Sequence, residues 1–412
     1  MNKQKSVAFL KNRQYYKFCF YGLLKNLRFF EVFFILFLKE AGLSYSAIGS
    51  LYALREITAH IAEIPTGIIA DTYGRKISLI FSFILYIFSF VVFYFAGSYL
   101  WFAVAFVGYG IAEALRSGTH KAMIMSYLAS NGWMDYKISY YGHTRSCSQA
   151  GSALSAVIAA VFVFFHGSYR HVFLLSVVPY VFNLLLVASY PRELNTVGKT
   201  QQVKRGFTAT FYALTKSLRT PGVFKIINDS ALHTAYLKAV KDYIQPLLVH
   251  LAVWLPAWIA PGNHRREALT IGFAYTIIYL LSSYASRTAG RYEKSRRQRA
   301  NVRTLLYGLS LGLTAGVFYI FGLWGLSLIA FAGIFFVENL RKPLMTGYLT
   351  EQVPPGILTS VLSAQSLLKT LMTSAIALLF GLVADYYGIG WALAGISTVL
   401  WLMYVYIAYK SG

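Results

Sequence analysis

The sequence predicts an all-α membrane protein with twelve transmembrane helices arranged in two six-helix halves. Of its 412 residues, 57% are hydrophobic and only 13% are charged, and the mean hydropathy is +0.53. These values exclude an ordinary soluble globular protein. Apolar runs long enough to cross a bilayer, which takes roughly 20 residues, recur along the chain. Six of them precede a polar, basic connector and six follow it, which predicts the two halves.

The connector divides the chain into an N-terminal half (1–190), a central loop (191–220) and a C-terminal half (221–412). Within the loop, residues 206–218 carry apolar side chains at helical spacing, which predicts an amphipathic helix on the inner leaflet. A plain solvated linker is the alternative. The predicted transmembrane segments, helix 1 to helix 12, span 18–39, 45–70, 77–96, 100–128, 139–165, 170–190, 221–252, 267–289, 303–321, 324–348, 357–384 and 390–409.

The net charge of +23 would suggest a nucleic-acid partner in a soluble protein, but the positions of the charges indicate otherwise. Lys and Arg are concentrated in the N-terminal tail, the central loop and the loop after helix 8, all on one side of the predicted membrane. This asymmetry is the positive-inside pattern and predicts that both termini are cytoplasmic. A basic face next to anionic lipid needs no nucleic-acid partner. Cys19 and Cys147 fall in or near apolar runs and suggest no disulfide framework, and no cleavable signal is visible.

The loop between helices 2 and 3 carries a distinctive motif, Gly67-Ile-Ile-Ala-Asp-Thr-Tyr-Gly-Arg-Lys76. Gly67 is expected to permit close helix approach, and Gly74 to allow a turn conformation. Asp71 is expected to cap the following helix, while Arg75 and Lys76 mark the cytoplasmic side. The pattern resembles the loop 2–3 signature of the major facilitator superfamily of secondary transporters. The resemblance implies that this loop acts in the conformational step of transport.

Further segments are similar to bacterial members of this superfamily, so the resemblance covers nearly the whole chain. Residues 287–299 repeat the loop motif without its Asp, and residues 381–388 imitate it on the external side, where we expect only a turn. Residues 142–151 on helix 5 contain no proline, unlike the usual signature of antiporter members, which disfavours drug/proton antiport. The other similar segments are Gly108–Gly118 on helix 4, Tyr243–Leu247 on helix 7 and an expected break at Pro343 on helix 10.

Ionisable residues inside the predicted helices are the candidates for a binding site, because such residues are costly in a membrane. The resemblance implies that helices 1, 4, 7 and 10 line a central cavity. Bases outnumber acids within the helices, which favours an anionic or zwitterionic substrate over a cationic drug. Structural ion pairs are the alternative for any one residue. The candidate substrate-binding residues are Arg28, Glu31, Arg116, Lys238, Lys241, Arg341 and Lys369.

Other intramembrane charges receive different expectations. Lys25 and Lys342 are expected to extend towards the cytoplasm, and Glu63, Lys121 and Arg145 to form ion pairs at an inner gate. Proton coupling needs a carboxylic acid or imidazole that can change its protonation. The candidates for this role are Glu113, Glu56, Asp229, His233 and Glu338.

The sequence contains no metal-ligand cluster, nucleophile constellation or phosphate-binding loop of the ATPase type. We therefore expect no metal, no cofactor and no enzymatic activity. The expected function is secondary transport of a small organic solute by alternating access, in the bacterial cytoplasmic (inner) membrane. We expect the protein to be monomeric, with protons as coupling ions and export as the favoured direction. Alternatives are proton-linked uptake of an anionic metabolite, movement of lipid, and ligand sensing without transport.

The charge asymmetry predicts a definite topology. Reporters fused within 199–205 and 294–299 should be cytoplasmic, and a reporter at 262–264 external, because Lys and Arg are retained on the cytoplasmic side. Reporter-enzyme fusions measure this directly. An external reporter at 294–299 would contradict the twelve-helix count.

Overall fold

The computed structural model describes residues 11–133, 136–195, 221–256, 258–260, 262–288, 297–352 and 355–410. The secondary structure of these residues is helical, without a strand, which confirms the all-α fold class. The predicted amphipathic helix at 206–218 and most of loop 287–299 lie outside the described residues. The α-helices are α1 (Arg13–Lys25), α2 (Phe34–Glu40), α3 (Tyr45–Tyr73), α4 (Arg75–Phe95), α5 (Tyr99–Arg116), α6 (Thr119–Ser130), α7 (Lys137–His166), α8 (His171–Ala188), α9 (Pro221–Val240), α10 (Ile244–Ala252), α11 (Asn263–Thr288), α12 (Arg297–Ile320), α13 (Trp324–Gln352), α14 (Pro355–Tyr387) and α15 (Ile389–Lys410).

Within the described residues, eight helices are long and apolar enough to cross a membrane, judged by length and composition. They correspond to predicted helices 3, 5, 6 and 8–12. Helix 2 is long enough as α3, but its charged residues, among them Arg55, Glu56 and Glu63, lower its hydropathy. Helices 1, 4 and 7 are each divided into two shorter helices. The four predicted helices that are not among these eight are therefore the divided helices 1, 4 and 7 and the charged helix 2.

The breaks in helices 1 and 7 occupy equivalent positions in the two halves. In each, a short 3-10 turn precedes the second helix: Glu31–Phe33 before α2 and Lys241–Tyr243 before α10. The side chain of Gln245 joins the two breaks, since its Oε1 accepts the Ile35 N–H at 2.8 Å and its Nε2 donates to the Glu31 carbonyl at 2.9 Å. Backbone groups at membrane depth must find partners inside the protein. A side chain of the C-terminal half thus provides hydrogen-bond partners for backbone groups of the N-terminal half where helix 1 is interrupted.

Helices α3 and α14 pack closely at the end of the molecule opposite the loop after α3. A side chain at Gly49 would collide with the Ala377 carbonyl, and one at Gly381 with the Tyr45 carbonyl. Small residues allow this backbone approach. The N-terminal and C-terminal halves are therefore in direct contact at this end.

Asp385 reinforces this contact by capping the first turn of α3. Its Oδ1 accepts the Tyr45 N–H and its Oδ2 accepts the Ser46 N–H, both at 2.7 Å. These N–H groups have no partner within their own helix, and the helix dipole favours a negative charge there. The motif-like segment 381–388 is consequently more than the expected turn, because α14 continues to Tyr387 and the chain turns at Gly388, with φ +87°.

The expected break at Pro343 is wrong as well. Helix α13 is assigned as continuous from Trp324 to Gln352. Neighbouring helices and local adjustment of the backbone can accommodate a proline inside a membrane helix. Helix 10 therefore differs from helices 1, 4 and 7, which are divided.

Removing the cap should weaken the closed end. Asp385→Ala should lower the free energy of unfolding by about 1 kcal/mol, because two N–H groups of α3 lose their acceptor. Thermal unfolding of the purified protein measures the change. Ser44→Ala is a comparison rather than a neutral control, since it removes the cap of the Ala47 N–H, at 3.1 Å, and should itself cost about 1 kcal/mol while both backbone bonds to Asp385 remain. Unchanged stability in Asp385→Ala would show that the cap contributes nothing.

Candidate functional site

A cavity of about 540 Å³ lies between the two halves. Its walls come from α1, the junction of α5 and α6, α7, α11 and α13, in the part of the molecule nearer the loop after α3. Its described lining contains no carboxylate. The charged or titratable side chains in the wall are Lys25, Arg116, His120, Lys121, Arg145 and Lys342.

Arg116 lies where helix 4 is interrupted. Helix α5 ends at Arg116, and Gly118, with φ +72°, redirects the chain into α6. The guanidinium donates to Glu113 Oε1 at 3.1 Å and to the Tyr86 hydroxyl at 3.2 Å. The Glu113 side chain is 36% exposed and that of Arg116 is 17% exposed. Arg116 therefore remains accessible from the cavity, and a ligand could compete with Glu113 for the guanidinium.

Arg28 lies deeper and is enclosed by tyrosines. Its Nε donates to the Tyr180 hydroxyl at 3.1 Å and its NH1 to the Tyr109 hydroxyl at 2.9 Å. The Tyr180 hydroxyl in turn donates to the Lys25 carbonyl at 2.9 Å. These bonds fix the guanidinium, and Arg28 is not among the residues that line the cavity.

Four of the predicted site residues form ion pairs between the two halves. Lys241 Nζ lies 2.7 Å from Glu31 Oε1, and Lys238 Nζ lies 2.5 Å from Glu56 Oε2. Lys241 also contacts Asp242 at 3.1 Å. The ion pairs lie beside the helix breaks, between the cavity and the capped end of α3. In this conformation they join the halves, and none of these residues lines the cavity.

Helix α13 carries a second, enclosed cluster. Glu338 accepts from Thr234 Oγ1 at 2.7 Å, and its other oxygen lies 2.7 Å from His233 Nδ1. Arg341 donates to Thr304 Oγ1 and to the Asp229 carbonyl, both at 2.8 Å. Glu338 is 1% exposed and Arg341 is 2% exposed. The cluster fastens α13 to α9 and α12 and has no surface open to a ligand.

The two clusters arise from the same short sequence pattern. Glu113-Ala-Leu-Arg116 on α5 is matched by Glu338-Asn-Leu-Arg341 on α13, and in each case the Glu is the fifteenth residue of its helix. In the N-terminal half Arg116 lines the cavity and binds Glu113. In the C-terminal half each member binds other residues in the interior. Equivalent positions have therefore acquired different environments.

Several cavity-lining residues received other expectations from the sequence. Lys25, Lys121, Arg145 and Lys342 all line the cavity. Lys369, on α14, does not. The extension of Lys25 and Lys342 towards the cytoplasm and the gate ion pairs of Lys121 and Arg145 remain predictions. In the sequence, small residues beside these bases could have indicated their place in the wall. Glycines such as Gly22 on α1 bring helices together and so place adjacent side chains in one wall.

The loop after α3 agrees only partly with the expectations. Gly74 has φ +97°, as its turn role requires. Gly67 faces open space, so the expected close helix approach is wrong in this conformation. Asp71 falls within the last turn of α3 and Gly74 occupies the N-cap position of α4, so the expected position of Asp71 before the next helix is wrong. Instead, Asn195 Oδ1 accepts the Lys76 N–H of α4 at 3.1 Å.

The two bases of the motif bind neighbouring backbone and side chains. Arg75 donates to Ser126 Oγ at 2.6 Å and to the Ala122 carbonyl at 3.1 Å. Lys76 Nζ donates to the Tyr190 carbonyl at 2.6 Å. These contacts fasten the loop to α6 and to the end of the N-terminal half.

The two repeated arginines should respond differently to the same substitution. Arg341→Met should lower the free energy of unfolding by about 3 kcal/mol, because it leaves interior acceptors without their charged donor. Arg116→Met should cost about 1 kcal/mol or less, since its pair is partly exposed. Denaturant or thermal unfolding of both variants measures the difference. Equal losses would contradict the division into an open and an enclosed cluster.

Comparison with known proteins agrees with this architecture. Residues 26–377 match the family model of the Major Facilitator Superfamily. The chain is similar in fold to the nucleoside transporter NupG, with 16% identity, a TM-score of 0.70, and coverage of 95% of this chain and 96% of that one. It is also similar to a D-xylose-proton symporter, with 15% identity, a TM-score of 0.67 and 95% coverage of both chains. A POT family transporter in complex with 5-aminolevulinic acid is 14% identical, with a TM-score of 0.65 and coverage of 97% and 96%.

No curated protein sequence matches the chain at a significant level. The solved structures share too little sequence identity to indicate more than the fold. The family match, however, covers more than half of the chain and agrees with the loop motif and the helical architecture. The protein therefore belongs to the major facilitator superfamily and is an integral membrane transporter of that family.

Proposed function

We propose that this protein is a secondary transporter of a small organic anion, with the cavity at Arg116 as the substrate site. The observation that carries the proposal is the cationic wall of that cavity, in which Lys and Arg side chains meet without a lining carboxylate. Cations in a low-dielectric interior are costly unless an anion neutralises them. A substrate with a negative group would supply that neutralisation.

Arg116 is the residue best suited to hold the negative group. Its guanidinium can form two parallel hydrogen bonds with a carboxylate or phosphate. It is partly exposed, and its present acidic partner, Glu113, is exposed as well. By contrast, Arg28 is held by tyrosines and Arg341 lies in the interior. Of the three arginines considered, Arg116 alone is placed in the wall of this cavity.

Contacts between the halves support an alternating-access cycle. The cavity lies towards the loop after α3, while the opposite end is held by the Glu31–Lys241 and Glu56–Lys238 pairs and by the Asp385 cap. Opening that end requires these contacts to separate. With the positive-inside topology, the cavity in this conformation faces the cytoplasm. We accordingly assign the protein to a bacterial cytoplasmic membrane, as a monomer with both termini cytoplasmic.

Glu113 offers a simple route for proton coupling. In the empty protein Arg116 neutralises it, at 3.1 Å. A substrate that takes the guanidinium leaves the carboxylate without its partner and beside the negative charge of the substrate, which favours the protonated form of Glu113. Substrate binding and proton uptake become linked at one pair. The other candidates, Glu56, Asp229, His233 and Glu338, are all at least 95% buried. The favoured direction remains export, and the charged side chains of the cavity wall disfavour lipid movement.

Two substitutions test the pair. Arg116→Lys should weaken binding of organic anions about tenfold or more, because an ammonium cannot reproduce the guanidinium fork. Glu113→Gln should retain binding but lose the dependence of binding on pH. The measurement is affinity against pH in purified protein, with solute flux in proteoliposomes under an imposed pH gradient. Lys39→Gln, a charge change outside the cavity wall, is the control.

The outcome decides between a functional and a structural pair. If Arg116→Lys binds organic anions as tightly as the natural protein, the arginine does not anchor the substrate. If Glu113→Gln keeps the full pH dependence, proton coupling must be sought elsewhere. Neutral solutes that bind as tightly as anions in the natural protein would overturn the proposed substrate class.

A further inference from the structure

The cavity wall contains more positive charge than a single negative group would neutralise. Arg116 is paired with Glu113, and Lys342 Nζ lies 3.8 Å from Glu338 Oε1. Lys25 and Arg145 line the same cavity, and neither forms an ion pair with a described residue. Lys121 lines the cavity as well. Even with Arg116, Lys121 and Lys342 fully neutralised, the positive charges of Lys25 and Arg145 remain in the wall. A ligand that balances them must carry two negative charges.

Close packing of α1 on α7 brings these two cations into one wall. Gly22 lies directly against Thr144 and Ser148. One turn later, the Asn26 side chain donates to the Ser148 carbonyl. Lys25 and Arg145 flank these contacts in sequence, so the packing that joins the helices also concentrates their charge. Two cations held in the same wall repel each other, which favours a dianion between them.

The interruption of helix 4 adds to the positive electrostatic potential of the cavity wall. Gly118 lines the cavity and stands immediately before α6, and no described side chain caps this helix terminus. The first N–H groups of a helix carry a partial positive charge and bind anions, phosphates in particular. This terminus follows Arg116 by two residues. The arginine fork and the helix terminus thus supply donors on the same side of the cavity.

The uncharged part of the wall is mixed, because polar side chains lie among Phe18, Ile124 and Phe335. Gln149, Asn339, Ser152 and Ser282 contribute amide and hydroxyl groups, and Tyr279 contributes an aromatic ring. Such groups bind hydroxyls and rings of a polar metabolite. They do not suit an acyl chain.

We propose, building on the proposed function, that the transported anion is a phosphate monoester of a polar metabolite. Near neutral pH a phosphate monoester carries close to two negative charges and three acceptor oxygens on one group. That charge matches the two surplus cations, and the oxygens match the arginine fork and the N–H groups of α6. A monocarboxylate would leave one cation unbalanced. A dicarboxylate has the charge but spreads it over two groups.

Matched ligand pairs test the proposal. The full-length protein in detergent is unfolded thermally with inorganic phosphate, glucose 6-phosphate or uridine monophosphate. Glucose, uridine, gluconate and succinate are the comparison ligands. The phosphate probes should raise the unfolding temperature at concentrations about tenfold lower than gluconate, and the neutral compounds should not raise it. Because the second ionisation of a phosphate monoester is near pH 6, its advantage over gluconate should shrink between about pH 7.5 and pH 5.5.

Variants of the surplus cations give an independent test. Lys25→Met and Arg145→Gln should each weaken the phosphate probes about tenfold, with a much smaller effect on gluconate, because each removes one charge-assisted contact. Arg145→Lys, which keeps the charge, should retain most of the affinity, and Lys39→Gln should change nothing. The unfolding temperature without ligand shows whether each variant is folded.

The outcomes separate this inference from the proposed function. If gluconate or succinate binds as tightly as the phosphate probes, and Arg116→Lys weakens that binding, the phosphate monoester is wrong and organic-anion transport stands. If none of the phosphate probes stabilises the protein, the inference is likewise overturned. If glucose and uridine bind as tightly as their phosphorylated forms, and Arg116→Lys binds normally, both proposals fail.

Discussion

The structure depends on one constraint, which is that a charge inside a low-dielectric protein must be neutralised. The intramembrane charges meet this requirement in three ways. Some pair across the two halves, as Glu31 does with Lys241. Others are bonded within one half, as Glu338 is with His233. The cations of the cavity wall instead retain a surplus, and in our proposal the substrate completes their neutralisation. Binding, closure and stability are then consequences of the same electrostatic requirement.

Helix interruption is the second means by which the fold positions its chemistry. A continuous helix satisfies its own backbone, so it leaves few groups for a ligand or a neighbouring helix. The breaks in helices 1 and 7 expose backbone groups that Gln245 joins across the halves. The break at Gly118 opens a helix terminus beside Arg116 instead. The breaks in helices 1 and 7 thus connect the halves. The break in helix 4 contributes, in our proposal, N–H donors to the anion site.

The repeated Glu-x-Leu-Arg pattern shows how duplicated halves can divide their tasks. In the C-terminal half, the buried Arg341 and its neighbours hold α13 against α9 and α12. This arrangement favours rigidity, because each donor has an interior acceptor. In the N-terminal half, Arg116 and Glu113 bind each other at the cavity, where a ligand can exchange with one of them. The enclosed copy holds α13 in place, and the copy at the cavity is the one to which we assign substrate binding in our proposal.

The sequence by itself determined the all-α class, the family resemblance and the approximate helix positions, because apolar length and the Gly74 turn are local properties. It also identified the charges that needed partners. Only the tertiary structure decided which partner each one has. Helical periodicity assigns a residue to a face but not to the helix opposite that face, so Arg116 and Arg341 were indistinguishable in sequence. For the same reason the sequence could not show that Lys25 lines the cavity, which follows from the packing of α1 on α7.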